Sequence, residues 1–271
     1  MDAVYRSHRP VRLHRLGRRQ VLLDLGFGGV AVAVLAGCTT GSSGSVATGT
    51  GSATAGSTTA GSTTAGSTTA AGPDPTGELS WKRVELGFVS AYVVLRGGRA
   101  AVVDTGVAGS ADAIGTALQA AGTSWDEVSD VILTHHHGDH AGSLGEVVTR
   151  AARAAVHAGE ADISRVTSPR PIVPAPDGSD VLGLQVVATP GHTEGHISVF
   201  DRGTRVLIAG DALNNSAGLT GSSPRNTADP AKAAESVKKM AALDVGTILF
   251  GHGEPLTSGA ADALRTYAGT L

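Results

Sequence analysis

The residues best suited to chemistry lie in one short segment near the middle of the chain. Residues 134–140 read THHHGDH, which places four histidines and one aspartate within six positions. The segment follows an apolar stretch that we expect to be a short buried strand. Residues two apart in an extended segment point the same way, so His135, His137 and Asp139 should converge while His136 faces away. Imidazole nitrogens and carboxylate oxygens bind zinc and similar divalent cations, so the segment indicates a metal site.

Four more candidate ligands extend this pattern along the chain. His140 closes the segment, at the expected start of a helix. His192, Asp211 and His252 each follow an apolar strand, in a glycine-containing turn where the backbone can bend side chains inward. A histidine-rich segment alone is also compatible with a surface cluster that binds metal passively. The three downstream residues favour instead a single site built from several strand ends.

Strands and helices alternate from residue 78 onward, after a change in composition. Apolar runs predict strands at residues 81–86, 90–96, 100–104, 131–134, 154–157, 184–188, 197–201, 205–209 and 247–250. Helices are predicted at residues 110–121 with Ser110 as the cap, at residues 230–243 after Asp229, and at the end of the chain. This order predicts an α/β fold in which helices cover the sheets and polar motifs lie at strand ends.

The spacing of the candidate ligands resembles that of a known family. The pattern His-X-His-X-Asp-His, followed in order by a lone His, a lone Asp and a lone His, is similar to the ligand set of the metallo-β-lactamase superfamily. The resemblance runs from residue 84 to residue 256 and includes VDTG at residues 103–106. TPGHTEGH at residues 189–196 is particularly similar to the glyoxalase II-like branch. The resemblance implies a four-layer αββα sandwich.

Family roles carried over by position imply a site for two metal ions. The first ion would be bound by three imidazoles, those of His135, His137 and His192. The second would be bound by Asp139, His140 and His252. Asp211 would bridge both ions, which we expect to be Zn²⁺, although iron and manganese accept the same ligands. A hydroxide bridging the ions would be the nucleophile, and Asp139 could also transfer the proton to the leaving group.

Several neighbouring polar residues are expected to support this site. Asp104 follows a predicted strand and should accept backbone hydrogen bonds that hold the ligand loop. His196 and His157 are expected to be structural or to orient the ligands. His136 should be exposed or hold a neighbouring ligand in place, because it faces away from His135 and His137.

The first 77 residues indicate export. Residues 1–37 contain six arginines and then an apolar run at 21–36, as in a secretory signal peptide. Residues 35–38 read LAGC and resemble a lipobox, which makes Cys38 the expected lipidation site, while Arg18-Arg19 resembles a twin-arginine signal. Residues 38–77, rich in Gly, Ser, Thr and Ala, are expected to be a disordered tether. The hydrolase domain at residues 78–271 would then be anchored to the cell membrane on the extracytoplasmic side.

Three features narrow the substrate that the resemblance implies. True metallo-β-lactamases generally lack the bridging aspartate, so Asp211 favours an ester, thioester or lactone, with an acyl-homoserine lactonase-like activity as one option. Glutathione thioester hydrolases carry a further helical domain, whereas 19 residues follow His252, so a glutathione thioester is disfavoured. Flavodiiron oxygen reductases have Glu in place of His137 and add a flavin domain, which opposes that function.

A small and fairly neutral substrate is expected. Recognition should come from the loops at residues 87–92, 166–180 and 213–229, which are rich in Gly, Pro, Ser and Asn. Arg170 and Arg225 could each meet a carboxylate. Nucleic acid is not an expected partner, because 15 basic residues face 22 acidic ones beyond residue 37. The oligomeric state stays open.

Two other functions are compatible with the same residues. The predicted tether also suits a noncatalytic metal-binding lipoprotein. An iron-dependent oxygenase or reductase shares several of the ligands. Activity on a substrate panel and elemental analysis would separate these alternatives from a hydrolase.

Overall fold

The computed structural model describes residues 77–271, so the predicted leader, Cys38 and nearly all of the predicted tether lie outside the described residues. Within residues 77–271, helices and strands alternate as the sequence predicts. None of the helices in this range is long and apolar enough to cross a bilayer.

The described range contains thirteen strands and six α-helices. The strands are β1 (Ser80–Leu86), β2 (Val89–Arg96), β3 (Arg99–Val103), β4 (Val128–Ile132), β5 (Ala155–Ala158), β6 (Ile172–Pro174), β7 (Asp180–Val181), β8 (Leu184–Ala188), β9 (Ile197–Asp201), β10 (Val206–Gly210), β11 (Leu213–Asn214), β12 (Thr220–Gly221) and β13 (Thr247–Phe250). The helices are α1 (Ala111–Ala120), α2 (Gly138–Ala141), α3 (Leu144–Arg150), α4 (Glu160–Ile163), α5 (Pro230–Ala241) and α6 (Ala260–Ala268).

Two sheets form the centre of the domain. The first has the order β1-β2-β3-β4-β5-β6, antiparallel from β1 to β3 and parallel from β3 to β6. The second has the order β13-β10-β9-β8-β7, in which β13 runs parallel to β10 and the other pairs are antiparallel. A short ribbon of β11 and β12 lies outside both sheets.

Period-two alternation of apolar side chains sorts the core into layers. On β2, Ala91 and Val93 pack in the cluster that includes α1 and α3, whereas Tyr92 packs in the cluster between the two sheets. On β10, Ile208 faces the inter-sheet cluster and Leu207 packs in the cluster with α5 and α6. Strands buried on both faces need an apolar residue at nearly every position, and these have one. The result is the predicted αββα sandwich.

Most of the predicted strands and helices agree with the structure, whereas the helices α3 and α4 and the four shortest strands were not predicted. Strands 184–188, 197–201 and 247–250 match in both bounds. Ser110 occupies the expected N-cap position of α1, but its side chain does not cap the helix, because its hydroxyl donates instead to the Val107 carbonyl at 2.7 Å. The strands β6, β7, β11 and β12 are two or three residues long and carry no readable periodicity.

We expect Asp229→Ala to lower the free energy of unfolding by about 1 kcal/mol, because Asp229 caps α5. Its carboxylate accepts from the amides of Ala231 and Lys232, both at 3.1 Å. Asp229→Ser should restore most of the loss. Denaturant unfolding measures it, with Asp244→Ala as control, since that side chain is exposed and pairs with Arg205 alone among residues 77–271. Equal losses in the two alanine variants would contradict the capping role.

Candidate metal centre

All of the predicted ligands lie in segments that follow strands, at one rim of the sandwich, and two of them, Asp139 and His140, belong to the short helix α2. The histidine segment follows β4, His192 follows β8, Asp211 follows β10 directly, and His252 comes two residues after β13. The amide of Ile197 donates to the Thr134 carbonyl at 2.9 Å, which joins the two sheets at this rim. Side chains distant in sequence are therefore brought together by the meeting of the two sheets.

The seven predicted ligands form overlapping groups. Within each group the possible ligand atoms lie within 4.8 Å of one another. We call the trio His135, His137 and His192 the first histidine group. We call the trio Asp139, His140 and His252 the second ligand group. A further group, His135, His140 and Asp211, overlaps both.

Asp211 lies between the two groups. Its Oδ1 is 3.3 Å from His140 Nε2, and its Oδ2 is 3.1 Å from His252 Nε2. The same Oδ2 is 3.6 Å from His192 Nε2, in the first histidine group. One carboxylate therefore faces both sets of imidazoles.

Asp104 organises the base of the site. It accepts hydrogen bonds from the Thr134 amide at 2.7 Å and from the Thr134 hydroxyl at 2.8 Å, and its Oδ2 lies 2.8 Å from His140 Nδ1. Asp104 has a φ of 61°, a left-handed conformation that Asp tolerates better than most residues. The residue thus fixes the start of the ligand segment and the ring of His140.

Hydrogen bonds on Nδ1 define the tautomers of three imidazoles. A carboxylate holds Nδ1 of His140, and the Phe88 carbonyl lies 2.7 Å from Nδ1 of His252. His135 Nδ1 lies 3.0 Å from the Thr134 hydroxyl, which has already donated its proton to Asp104. Because these partners accept, each Nδ1 carries the proton. In the neutral form of each ring, the Nε2 lone pair is then free to face the cluster.

Several buried polar atoms in the cluster lack a partner. His135 Nε2, His140 Nε2 and Asp211 Oδ1 have no hydrogen bond within residues 77–271. Such atoms are costly to bury unless something satisfies them. His137 Nδ1 and His192 Nε2 lie 3.0 Å apart, close to the spacing of roughly 3.3 Å for two nitrogens on one tetrahedral zinc ion. The donor set and its geometry fit divalent metal ions.

The buried carboxylates of the cluster need positive charge beside them. Burial acts to raise the pKa of Asp211, but the nearby imidazoles of His140 and His252 outweigh it and hold that pKa well below its usual range. The close approach of the Asp211 carboxylate raises the pKa of His252. Burial acts to lower the pKa of His140, yet the carboxylates of Asp104 and Asp211 raise it well above its usual value. A divalent cation would supply the charge that protons otherwise provide.

The first histidine group is instead suited to neutral imidazoles. Burial lowers the pKa of His135 well below its usual value and that of His192 to about 4. Burial also lowers the pKa of His137. Neutral imidazole is the form that binds metal, so these three rings need no deprotonation near neutral pH.

His196 lies behind the ligands. Its Nε2 accepts from the Asp211 amide at 3.1 Å, and its Nδ1 lies 2.8 Å from the Thr189 hydroxyl. Burial, with His192 nearby, lowers the pKa of His196 to about 3. The ring is therefore neutral and holds Asp211 by its backbone.

The remaining sequence candidates lie around the cluster. His157 Nε2 is 2.9 Å from Asp130 Oδ1 and belongs to neither ligand group. Arg170 donates to the carbonyls of Ala152, Ala154 and Val148 near the end of α3, so both terminal nitrogens of its guanidinium are bonded to the backbone. Arg225 is exposed on its loop.

Sequence reasoning missed two contributors. The Phe88 carbonyl holds His252, and the Phe88 ring, 67% exposed, stacks on that imidazole with centroids 6.0 Å apart. Asp162, on α4, bonds both histidine-bearing loops. Backbone carbonyls have no sequence signature, and Asp162 lies in a short helix outside every motif.

Comparison with known proteins places the chain in a family. The family model of the metallo-beta-lactamase superfamily matches residues 84–252, more than half of the chain. The probable metallo-hydrolase YflN of Bacillus subtilis (strain 168) is 30% identical over 202 residues, covering 58% of this chain and 76% of that protein. Hydroxyacylglutathione hydrolase of Dechloromonas aromatica (strain RCB) is 30% identical over 175 residues, covering 62% of this chain. The chain spans only 60% of the length of that relative.

Solved structures share the architecture. The crystal structure of TTHA1623 in a di-iron-bound form superposes with a TM-score of 0.58 at 24% identity, covering 70% of this chain and 100% of that chain. This likeness shows the fold, and the family model and the relatives show the class of enzyme. The chain belongs to the metallo-β-lactamase superfamily and is a metal-dependent hydrolase.

Proposed function

We propose that residues 78–271 use two divalent metal ions to hydrolyse an ester, thioester or lactone bond of a small molecule. The position of Asp211 carries this proposal, because its two oxygens face imidazoles of both the first histidine group and the second ligand group. A carboxylate between two sets of imidazoles is suited to bridging two ions.

Each set of side chains has its own part in this proposal. The first histidine group would hold one ion through neutral imidazoles. The second ligand group would hold the other ion through two imidazoles and the carboxylate of Asp139. When bound, two such ions would supply the charge that lowers the pKa of a water to about 7 and polarises a carbonyl. We propose zinc, which suits a site rich in imidazole, while iron and manganese are the alternatives.

Asp139 is the proposed proton-transfer residue. Its side chain is 26% exposed, against 10% for Asp211, and its Oδ2 lies 3.5 Å from His252 Nε2. A carboxylate on the open side of the cluster can accept a proton from the attacking water and deliver it to the leaving group. The name of the Dechloromonas relative, a hydroxyacylglutathione hydrolase, supports an acyl bond as the target.

We expect Asp211→Asn to lower the rate of hydrolysis more than about 100-fold and to reduce bound metal below two ions per chain, because a neutral amide bridges two cations poorly. Metal is counted by elemental analysis. Rates are measured on aryl esters, acyl thioesters including a hydroxyacylglutathione, and lactones.

Asp130→Asn is the matched control, since Asp130 is a largely buried carboxylate that pairs with a histidine outside both ligand groups. Inactivity of the fully loaded wild-type domain on every substrate class would favour a noncatalytic metal-binding role. Full activity of Asp211→Asn would contradict the bridging role.

We expect Asp104→Asn to weaken Zn²⁺ binding about 10- to 100-fold, because Asp104 holds the ring of His140. Asn tolerates the left-handed backbone but removes the charge that stabilises protonated His140, so the melting temperature of the metal-free protein should also fall, though by less than in Asp104→Ala. Asp104→Ala should lose both metal affinity and stability. Chelator competition and thermal unfolding measure the two effects, and wild-type affinity in Asp104→Asn would overturn this role.

We also propose that the chain is an exported lipoprotein anchored through Cys38, outside the described residues. The support is the arginine-rich start, the apolar run at residues 21–36 and the LAGC motif, which contains the chain's one cysteine. The domain would then act outside the cytoplasm, next to the membrane.

Cys38→Ala should move the protein from the membrane fraction to the soluble or secreted fraction and abolish labelling by radioactive palmitate, because no thiol remains to carry the lipid. Fractionation of cells expressing the full chain measures this. Ser42→Ala is the control in the adjoining segment. Unchanged membrane association of Cys38→Ala would contradict lipid anchoring.

A further inference from the structure

A buried carboxylate outside the ligand set lies directly behind the first histidine group. Asp162, on α4, is 1% exposed. Its Oδ1 accepts from the Gly195 amide at 2.8 Å, and its Oδ2 accepts from the Thr193 hydroxyl at 2.7 Å. Thr193 directly follows His192, so this carboxylate hydrogen-bonds the loop that carries this ligand.

The same carboxylate holds the other histidine-bearing loop. The His136 amide donates to Asp162 Oδ2 at 3.1 Å, and His136 Nδ1 lies 3.0 Å from that oxygen. His136 stands between His135 and His137 in the chain. The Asp162 carboxylate therefore hydrogen-bonds both the backbone between His135 and His137 and the loop that carries His192.

The surroundings of Asp162 leave it little freedom. Within residues 77–271 it forms no ion pair with Lys or Arg, so donors from the two loops offset its charge. A Cβ added to Gly195 would lie 2.4 Å from the Asp162 amide, and one added to Gly159 would lie 1.9 Å from the Gly195 carbonyl oxygen. The start of α4 thus packs backbone against backbone on the His192 loop.

We propose that Asp162 is a positioning residue that sets the spacing of the first histidine group and thereby the affinity of one metal site but not the other. The two loops that it joins bring His137 Nδ1 and His192 Nε2 to 3.0 Å. This inference rests on the two-metal site proposed above.

The second ligand group has separate supports, so the effect of Asp162 must be one-sided. Asp104 holds His140, and the Phe88 carbonyl holds His252. None of the hydrogen bonds of Asp162 reaches a residue of the second ligand group. Loosening Asp162 should therefore separate the two binding events.

The test is Zn²⁺ titration of the metal-free protein by calorimetry, for wild type and Asp162→Asn. The Asn amide keeps the size of the side chain but turns a donor toward the His136 amide and the Thr193 hydroxyl. Wild type should show two binding events. In Asp162→Asn one event should weaken about 10- to 100-fold while the other changes less than about threefold.

A second background identifies the affected site. His252→Ala removes a member of the second ligand group and should leave one tight event. Adding Asp162→Asn to His252→Ala should weaken that remaining event by the same factor. If the event is unchanged, Asp162 does not act on the first histidine group and the proposal fails.

Asp201→Asn separates positioning from general destabilisation. Asp201 is 3% exposed and bonds Arg96 and Thr204. It lies at the far end of β9 from Ile197 and the ligand rim, a distance of about 13 Å along the strand. The Asp201→Asn substitution should lower the melting temperature and leave both binding events intact. Equal weakening of both events in Asp162→Asn, or the same pattern in Asp201→Asn, would overturn the proposal. A wild type that binds fewer than two ions would instead refute the two-metal site itself.

Discussion

The site depends on one constraint, the burial of a carboxylate among imidazoles. Asp211 is largely out of water, and a buried charge is stable only when opposite charge and hydrogen bonds surround it. His140 and His252 provide part of this compensation, and the His196 ring fixes the backbone of Asp211 from behind. The cluster is therefore most favourable when cations lie in it, which couples the stability of the rim to metal binding.

That constraint explains why the backbone is so tightly packed at the rim. A Cβ on Gly251 would lie 2.2 Å from Asp211 Oδ1, and a Cβ on Gly210, whose φ is +53°, would lie 2.8 Å from the Thr134 side chain. Only glycine lets the ends of β10 and β13 approach the ligands this closely. The bond between the two sheets at Thr134 and Ile197 then sets the distance across which the ligands meet.

Sequence reasoning predicted the elements whose patterns are long or chemically distinctive. Strands such as 184–188 have an apolar residue at most positions, and the seven candidate ligands stand at strand ends, where side chains can converge. The residues that hold the ligands in place were harder to predict. Asp162 has the sequence pattern of an ordinary polar residue in a short helix. The hydrogen bond from His252 to the Phe88 carbonyl involves a backbone atom, which side-chain identities do not reveal. Their importance arises from tertiary contacts alone.

The supports and the predicted recognition loops occupy different environments. Asp104, Asp162 and His196 are buried and hydrogen-bonded, whereas the Phe88 ring and Arg225 are exposed. A buried, fully bonded support cannot change without moving a ligand, since interiors transmit small displacements. An exposed side chain such as that of Arg225 can change without that effect. The chemistry of bond cleavage is thus fixed by the interior, while the choice of substrate is free to vary at the surface.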